Sequence, residues 1–517
     1  MSTKVIVTNM SVLRSKYGRG VSRITQEIKQ LISADKLRGV KTKLLAIDDA
    51  TAMSKLKAKC VSNADDPKQN KIAIDGVYAA MAPDYLVILG AIDVIPHQDL
   101  RNPVFCGDDP DRYAYSDLPY ACDAPYSRKI EDFTGPTRVV GRIADITKGT
   151  DPGYLVGLIK TATKWKSRPL SDYDNYLGIS AYVWQDSTKL SLKNLFGSSS
   201  AVHLSPPDGP KWSALQLKAR SHFINCHGAM SDPVYYGQKG NYKYPDAHRA
   251  SWVEGKLSNG TVATAECCYG AELYDPTDSA GQMGICNAYL KSGAYGFFGS
   301  STIAYGPASG NSAADLICQY FLKHVFEGAS LGRAVLETRH DFAQSPSELD
   351  PVDQKTLAQF SLFGDPSIHP VQLVSPKTAV SHKAVSKITA QNLIPLAGRT
   401  DRRRQLAIKG QSIGSMVSVA VKSTKVKPTG SLKRVLNGLA KQAKVSVESG
   451  TLLSFQIRGP KGNWYKKAKA AKTIKSNVLH ILLKDLSKGG SPVKRIEALI
   501  AKEEDGNIVS YQELYSR

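Results

Sequence analysis

The sequence predicts an α/β protein: tandem open α/β units with mainly parallel sheets, then a small basic C-terminal domain rich in antiparallel β. Three observations predict it. Short apolar runs bounded by turn residues recur through the first 300 or so positions, as in strands buried within a parallel sheet. Stretches with helical spacing of apolar residues lie between them, the alternation that builds open α/β layers. From about residue 412 the pattern changes to apolar alternation in short segments, which suits an antiparallel sheet.

In chain order, residues 4–9 and 42–47 read as buried strands. A helix between them carries Val21, Ile24, Ile28, Leu31 and Ile32 at helical spacing. Tyr85–Leu89 and Arg138–Gly141 add strands to this first unit, residues 1–170. An irregular stretch rich in Asp, Pro and Tyr, Asp108 to Tyr126, separates them, and a metal site on its aspartates is a minor alternative. Trp165 to Asp174 reads as a connection. The second unit, residues 171–370, opens with the run Tyr176–Val183. It continues through strands at Ala201–Leu204, Phe223–Gly228, Val262–Cys268 and Ala294–Phe298, then helices Ala313–Phe326 and Leu331–Phe342. Residues 371–411, with Arg402-Arg403-Arg404, read as an exposed linker. The final domain, 412–517, holds strands at Met416–Val421, Leu452–Ile457, Val478–Leu483 and Ile496–Ile500. Glu504-Asp505-Gly506-Asn507 reads as a hairpin turn there.

Composition narrows the function classes. A chain of 517 residues holds two or three domains, and no run approaches the ~20 apolar residues of a membrane helix. The opening Met1–Val7 reads as a strand rather than a signal peptide. Together with eight cysteines lacking any C-x-x-C pair, this leads to an expected cytoplasmic location without membrane association. Charge is uneven. Residues 371–517 hold 28 Lys and Arg against 8 Asp and Glu, a net +20 out of +22 for the whole chain. Such asymmetry implies an acidic partner for residues 412–517, either nucleic acid or protein.

Two runs stop abruptly at reactive side chains: Phe223-Ile224-Asn225-Cys226-His227-Gly228, and Val262-Ala263-Thr264-Ala265-Glu266-Cys267-Cys268-Tyr269-Gly270. In open parallel sheets chemistry gathers where strands end at their carboxyl side. Neighbouring strands would present an imidazole and a thiol side by side, the pairing a thiol nucleophile needs.

These motifs resemble the caspase-like cysteine peptidases, and among them the gingipain family. Tyr85–Gly90 with Ile95-Pro96, and Val139–Ile143, resemble the leading half of the gingipain catalytic unit. Phe298-Gly299-Ser300 and Phe363-Gly364-Asp365-Pro366 resemble its closing half, so the likeness spans roughly residues 80 to 370. The resemblance implies a cysteine endopeptidase acting on protein substrates without a cofactor or metal. His227 would be the base and Gly228 part of an oxyanion hole. Cys268 would be the nucleophile by the order acidic residue, small residue, cysteine. Spacing to glycine in other caspase-like families picks Cys267 instead, and strand alternation lets only one of the two face the cleft. Glu266 and Asp186 stand where related enzymes place pocket residues, and two carboxylates there would favour Arg or Lys before the cut. Two alternatives remain open at this level: a zinc site of Cys226, His227, Cys267 and Cys268, or an inactive peptidase fold that binds nucleic acid.

Overall fold

The structure, a computed structural model, describes residues 2–240, 243–372, 399–422, 430–442, 450–459 and 477–517. Its centre is one ten-stranded sheet. The order is Val40–Ala46, Ser2–Thr8, Tyr85–Leu89, Val140–Ile143, Phe360–Phe363, Gly296–Ser300, Val262–Ala265, Ser221–Asn225, Tyr176–Ala181, Val202–Ser205. The two predicted units are therefore halves of a continuous sheet. Phe360–Phe363 joins them: it runs parallel to Val140–Ile143 but antiparallel to Gly296–Ser300, so the halves run in opposite directions.

Local chemistry explains the elements. Leu86, Val87, Ile88 and Leu89 are all buried, as a strand covered on both faces requires. Helix Pro67–Met81 begins with Pro and is capped by Asp66, whose carboxylate accepts the N–H groups of Lys68 and Gln69. Ser330 caps Leu331–Gln344 in the same way. Buried Lys4 on the second strand of the order pairs with Asp35 at 2.6 Å and with Asp365 at 2.7 Å. The Gly-Asp-Pro motif thus ties the closing strand to the first one, and leaving either charge alone would cost several kcal/mol, on the order of 3–5.

The C-terminal domain is a six-stranded antiparallel sheet. Its order is Tyr305–Gly306, Asn507–Ser516, Ile496–Glu504, Asn477–Asp485, Thr451–Arg458, Val419–Lys422. Asp505 and Gly506 close the predicted hairpin with positive φ at both positions, as a two-residue turn of this kind demands. One face packs Phe455, Leu479, Ile481, Leu483 and Leu514 against Ile303, Tyr305 and Val352 of the large unit. The first strand of this sheet, Tyr305–Gly306, belongs to the second unit, residues 171–370.

The expected linker is partly structured. Arg399–Met416 is a helix, so the triple arginine lies in a helix rather than in extended chain. Gly410 in that helix lets its backbone sit directly on Pro136 and Gly135, and only a residue without a side chain permits that approach.

Candidate active site

Ser221–Asn225 and Val262–Ala265 are adjacent parallel strands with Ile224 opposite Ala265, so their carboxyl ends lie side by side. The chain after Asn225 leaves the large sheet. His227–Gly228 instead starts a three-stranded antiparallel sheet with Val234–Tyr236 and Asp246–Arg249. Gly228 has to be glycine because a Cβ there would strike the carbonyl oxygen of Cys268.

His227 is buried against the Trp184 ring, with centroids 4.3 Å apart, and meets Tyr244 edge-on. Its Nε2 lies 2.7 Å from Gln238 Oε1. The Gln238 amide nitrogen donates to the Gly240 carbonyl at 2.9 Å, which turns its oxygen toward the imidazole. The ring proton therefore sits on Nε2, and Nδ1 is left as a bare lone pair without a partner among the described residues. Burial lowers the His227 pKa to about 3, against the Gln238 bond, with Arg517 pushing the same way as burial. Burial likewise pushes the Cys268 thiol up to about 12. Burial thus favours the neutral form of each of these two side chains.

The two adjacent cysteines part company, as alternation requires. Cys267 joins the apolar cluster containing Cys226, Tyr235, Cys286 and Tyr289, where burial raises its thiol well above the ordinary range. Cys268 faces the other way, toward Ile303 and Tyr305, and its Sγ accepts the Ala304 N–H at 3.3 Å. A tight turn follows, with Tyr269 at φ 53° and the Gly270 N–H on the Cys267 carbonyl. The segment from Asp108 braces this turn. Tyr269 donates to Asp111 at 2.7 Å and Tyr305 to Asp109 at 2.9 Å, while buried Lys355 pairs with both aspartates. These carboxylates are therefore spent on a lysine and two tyrosines. Among the described residues no three His, Cys, Asp or Glu side chains converge in a way that could hold a metal ion.

The cleft contains Arg517. Its main-chain oxygen accepts the Cys268 N–H at 3.0 Å and the Gly228 N–H at 3.4 Å, and its N–H donates to the Ala304 carbonyl at 2.9 Å. Its guanidinium lies over the Trp184 ring at 4.3 Å and donates to both Asp315 oxygens at 2.9 and 3.1 Å, and to the Pro307 carbonyl at 2.7 Å. Glu266 Oε2 is 3.9 Å from its Nε. Burial, and then the adjacent Asp315 charge, push the Glu266 carboxyl well above its usual range. Two buried acids, Asp315 and Glu266, thus stand beside one guanidinium.

Of the residues singled out in the sequence, His227, Gly228, Cys268 and Glu266 meet at this cleft. Cys267 contributes its backbone turn and points its thiol into the core. Asp186 is a correction: it is exposed in the first turn of helix Gln185–Phe196, where its charge suits the helix N-terminus. From that loop the cleft instead receives Trp184 and Ser187. The second carboxylate is Asp315, a buried acid in the first turn of Ala313–Phe326. Its only signal in the sequence was an acidic residue within an otherwise apolar helical stretch. Gln238 and Arg517 carried no signal at all.

Residues 227–371 match the model of peptidase family C25. No curated protein sequence is similar enough to match. Among solved structures, a protease is similar over 99% of this chain and 96% of its own, at 12% identity and a TM-score of 0.45. The Saccharomyces cerevisiae separase–securin complex is similar over 45% of this chain and 14% of that one, at 13% identity and a TM-score of 0.25. The family match spans the His-Gly pair, the Cys-Cys-Tyr-Gly turn and Asp315 together, and it supports a cysteine-peptidase hydrolase.

Proposed function

We propose that the chain is a cysteine endopeptidase that cuts proteins after Arg or Lys, with His227 as base and Cys268 as nucleophile. One observation carries the reading. A main-chain oxygen sits on the N–H groups of Gly228 and Cys268 while the side chain of the same residue, Arg517, fills a pocket floored by Asp315. In a substrate at that position, His227 Nδ1 takes the Cys268 thiol proton and the thiolate adds to the carbonyl carbon. The two N–H groups hold the developing oxyanion. The imidazolium then protonates the departing amine as the C–N bond breaks, leaving a thioester. Water, deprotonated by the same imidazole, cleaves the thioester and restores the thiol. Cys268 is preferred to Cys267 because the backbone N–H of the nucleophile belongs in the oxyanion hole.

A guanidinium or ammonium in the pocket satisfies Asp315, whereas an acidic side chain would add a third carboxylate to a desolvated site. All eight cysteines are free, which supports a reducing, cytoplasmic location. The basic charge beyond residue 371 supports an acidic partner. The dyad is tested by His227→Ala and Cys268→Ala, measured on a fluorogenic arginyl amide. Each should lose activity by roughly 10²–10⁴-fold or more, and the double variant should be no worse than the poorer single one. Activity kept in Cys268→Ala but lost in Cys267→Ala moves the nucleophile by one residue. Activity kept in all of them removes the peptidase reading.

A further inference from the structure

We propose that Tyr515–Arg517 is a built-in, substrate-like inhibitor that holds the enzyme latent by occupying its own cleft. This rests on the Arg-pocket reading above and adds its regulation. The segment lies as a strand antiparallel to Tyr305–Gly306, with Ser516 opposite Tyr305 and Tyr515 opposite Gly306. Strand addition to a cleft edge is a general way for a peptidase to hold an extended chain. Gly306 leaves room for it, since a Cβ there would meet the Arg517 guanidinium and Asp315 at about 2.5 Å.

The occupant is preorganised. It continues the strand Asn507–Ser516, which pairs along its length with Ile496–Glu504. Ser516 Oγ is clamped between the Ile496 N–H at 2.8 Å and the Lys494 carbonyl at 2.7 Å. A tethered ligand needs no diffusional encounter and acts at a high effective concentration. With it in place, His227 and Cys268 are each 1% exposed and Arg517 is 0% exposed, so no substrate reaches the thiol. The Arg517 charge also disfavours the imidazolium that catalysis must form. Release requires the end of Asn507–Ser516 to lift from Tyr305–Gly306, the edge strand of the six-stranded sheet.

The test compares full-length wild type, Arg517→Ala and Arg517→Lys. The readouts are inactivation by an arginyl chloromethyl ketone and hydrolysis of an arginyl aminomethylcoumarin. Removing an occupant that fills most molecules should speed both in Arg517→Ala by at least about tenfold, chiefly through a lower apparent KM. Arg517→Lys, which keeps the charge but loses the fork, should fall between and serves if the alanine variant misfolds. Free peptide Glu-Leu-Tyr-Ser-Arg should then inhibit Arg517→Ala competitively. Equal rates in all three folded proteins would overturn latency and leave the Arg pocket standing. Activation seen only with uncharged or aspartyl substrates would overturn the Arg pocket and leave the plug standing. Folded variants inert toward every substrate would overturn both.

Discussion

At the scale of single residues, the orientation of His227, the proposed base, is set by the side chain of Gln238. Gln238 fixes the His227 tautomer with the lone pair on Nδ1. Gln238→Glu would place a carboxylate on Nε2–H and raise the imidazole pKa. A higher pKa means protonation at higher pH, so the acid limb of kcat/KM should move upward by about one unit or more. A pH–rate profile with an unmoved or lowered acid limb would remove Gln238 from this role. Asp315 belongs at the same scale. In an Arg517→Ala background, where the tail does not compete, Asp315→Asn leaves a buried guanidinium without its counter-ion. Losing about 3 kcal/mol there predicts a roughly hundredfold fall in kcat/KM for arginyl substrates. Substrates with an uncharged residue at that position should change far less, and parallel losses for both kinds would argue for a structural role.

At the scale of elements, a chain of directed hydrogen bonds links strand Ser221–Asn225 to its neighbours. Trp212 Nε1–H donates to His248 Nδ1 at 3.0 Å, which forces the His248 proton onto Nε2 and so toward Tyr289 OH at 3.0 Å. Tyr289 OH then donates to His222 Nδ1 at 2.8 Å, and His222 Nε2–H donates to the Ala219 carbonyl at 3.0 Å. The chain runs from strand Asp246–Arg249 through helix Ile285–Lys291 to strand Ser221–Asn225, and it works only with both imidazoles neutral. Burial lowers His222 to about 4 and His248 to about 3. Both folded values lie below the unfolded ~6.5, so the unfolded chain takes up protons first as pH falls. Their contribution is present above about pH 6.5 and is lost progressively toward pH 4 and below, on the order of 3 kcal/mol for His222 and about 5 kcal/mol for His248. Tyr289→Phe should cost about 2 kcal/mol at pH 7 by stranding two buried nitrogens, readable in urea unfolding. A neutral effect would mean the chain is not a stabilising network.

At the scale of the molecule, the C-terminal sheet packs into the same apolar cluster as the candidate site. Cys268, Tyr269, Ile303 and Tyr305 share an apolar cluster with Phe455, Leu479, Ile481, Leu483 and Leu514. A chain ending at residue 372 should therefore lose stability and activity as well as the inhibitory tail, seen as a lowered Tm. Retention of full stability would show that the two halves fold independently. The same truncation should abolish binding to nucleic acid, whose affinity for the full chain should fall steeply with salt as phosphate contacts release counterions. Binding that ignores salt, or no binding, would direct the search to an acidic protein. Trp464 and Tyr465 beside Lys466 and Lys467, expected from the sequence to pack in the sheet rather than stack on bases, lie outside the described residues. No helix among the described residues is long and apolar enough to cross a membrane.

What the sequence determined by itself was local. Apolar runs located Tyr85–Leu89 and Ala313–Phe326 to the residue, because burial on both faces or on one helical stripe writes its period into adjacent positions. Adjacent parallel strands also carried the His-Gly pair and the Cys-Cys-Tyr-Gly turn to neighbouring ends, as chain order implied. Tertiary structure alone decided the rest. Phe360–Phe363 fused two units into one sheet, since strand direction leaves no mark on composition. Helix Arg399–Met416 covers the end of the expected linker, and its glycines pack on Gly135 and Pro136, a contact invisible in a polar stretch. Asp315, rather than the exposed Asp186, is the acid that meets Arg517, across 202 positions. Pairings at that separation are chosen by how sheets close on one another, and no periodicity in the chain records them.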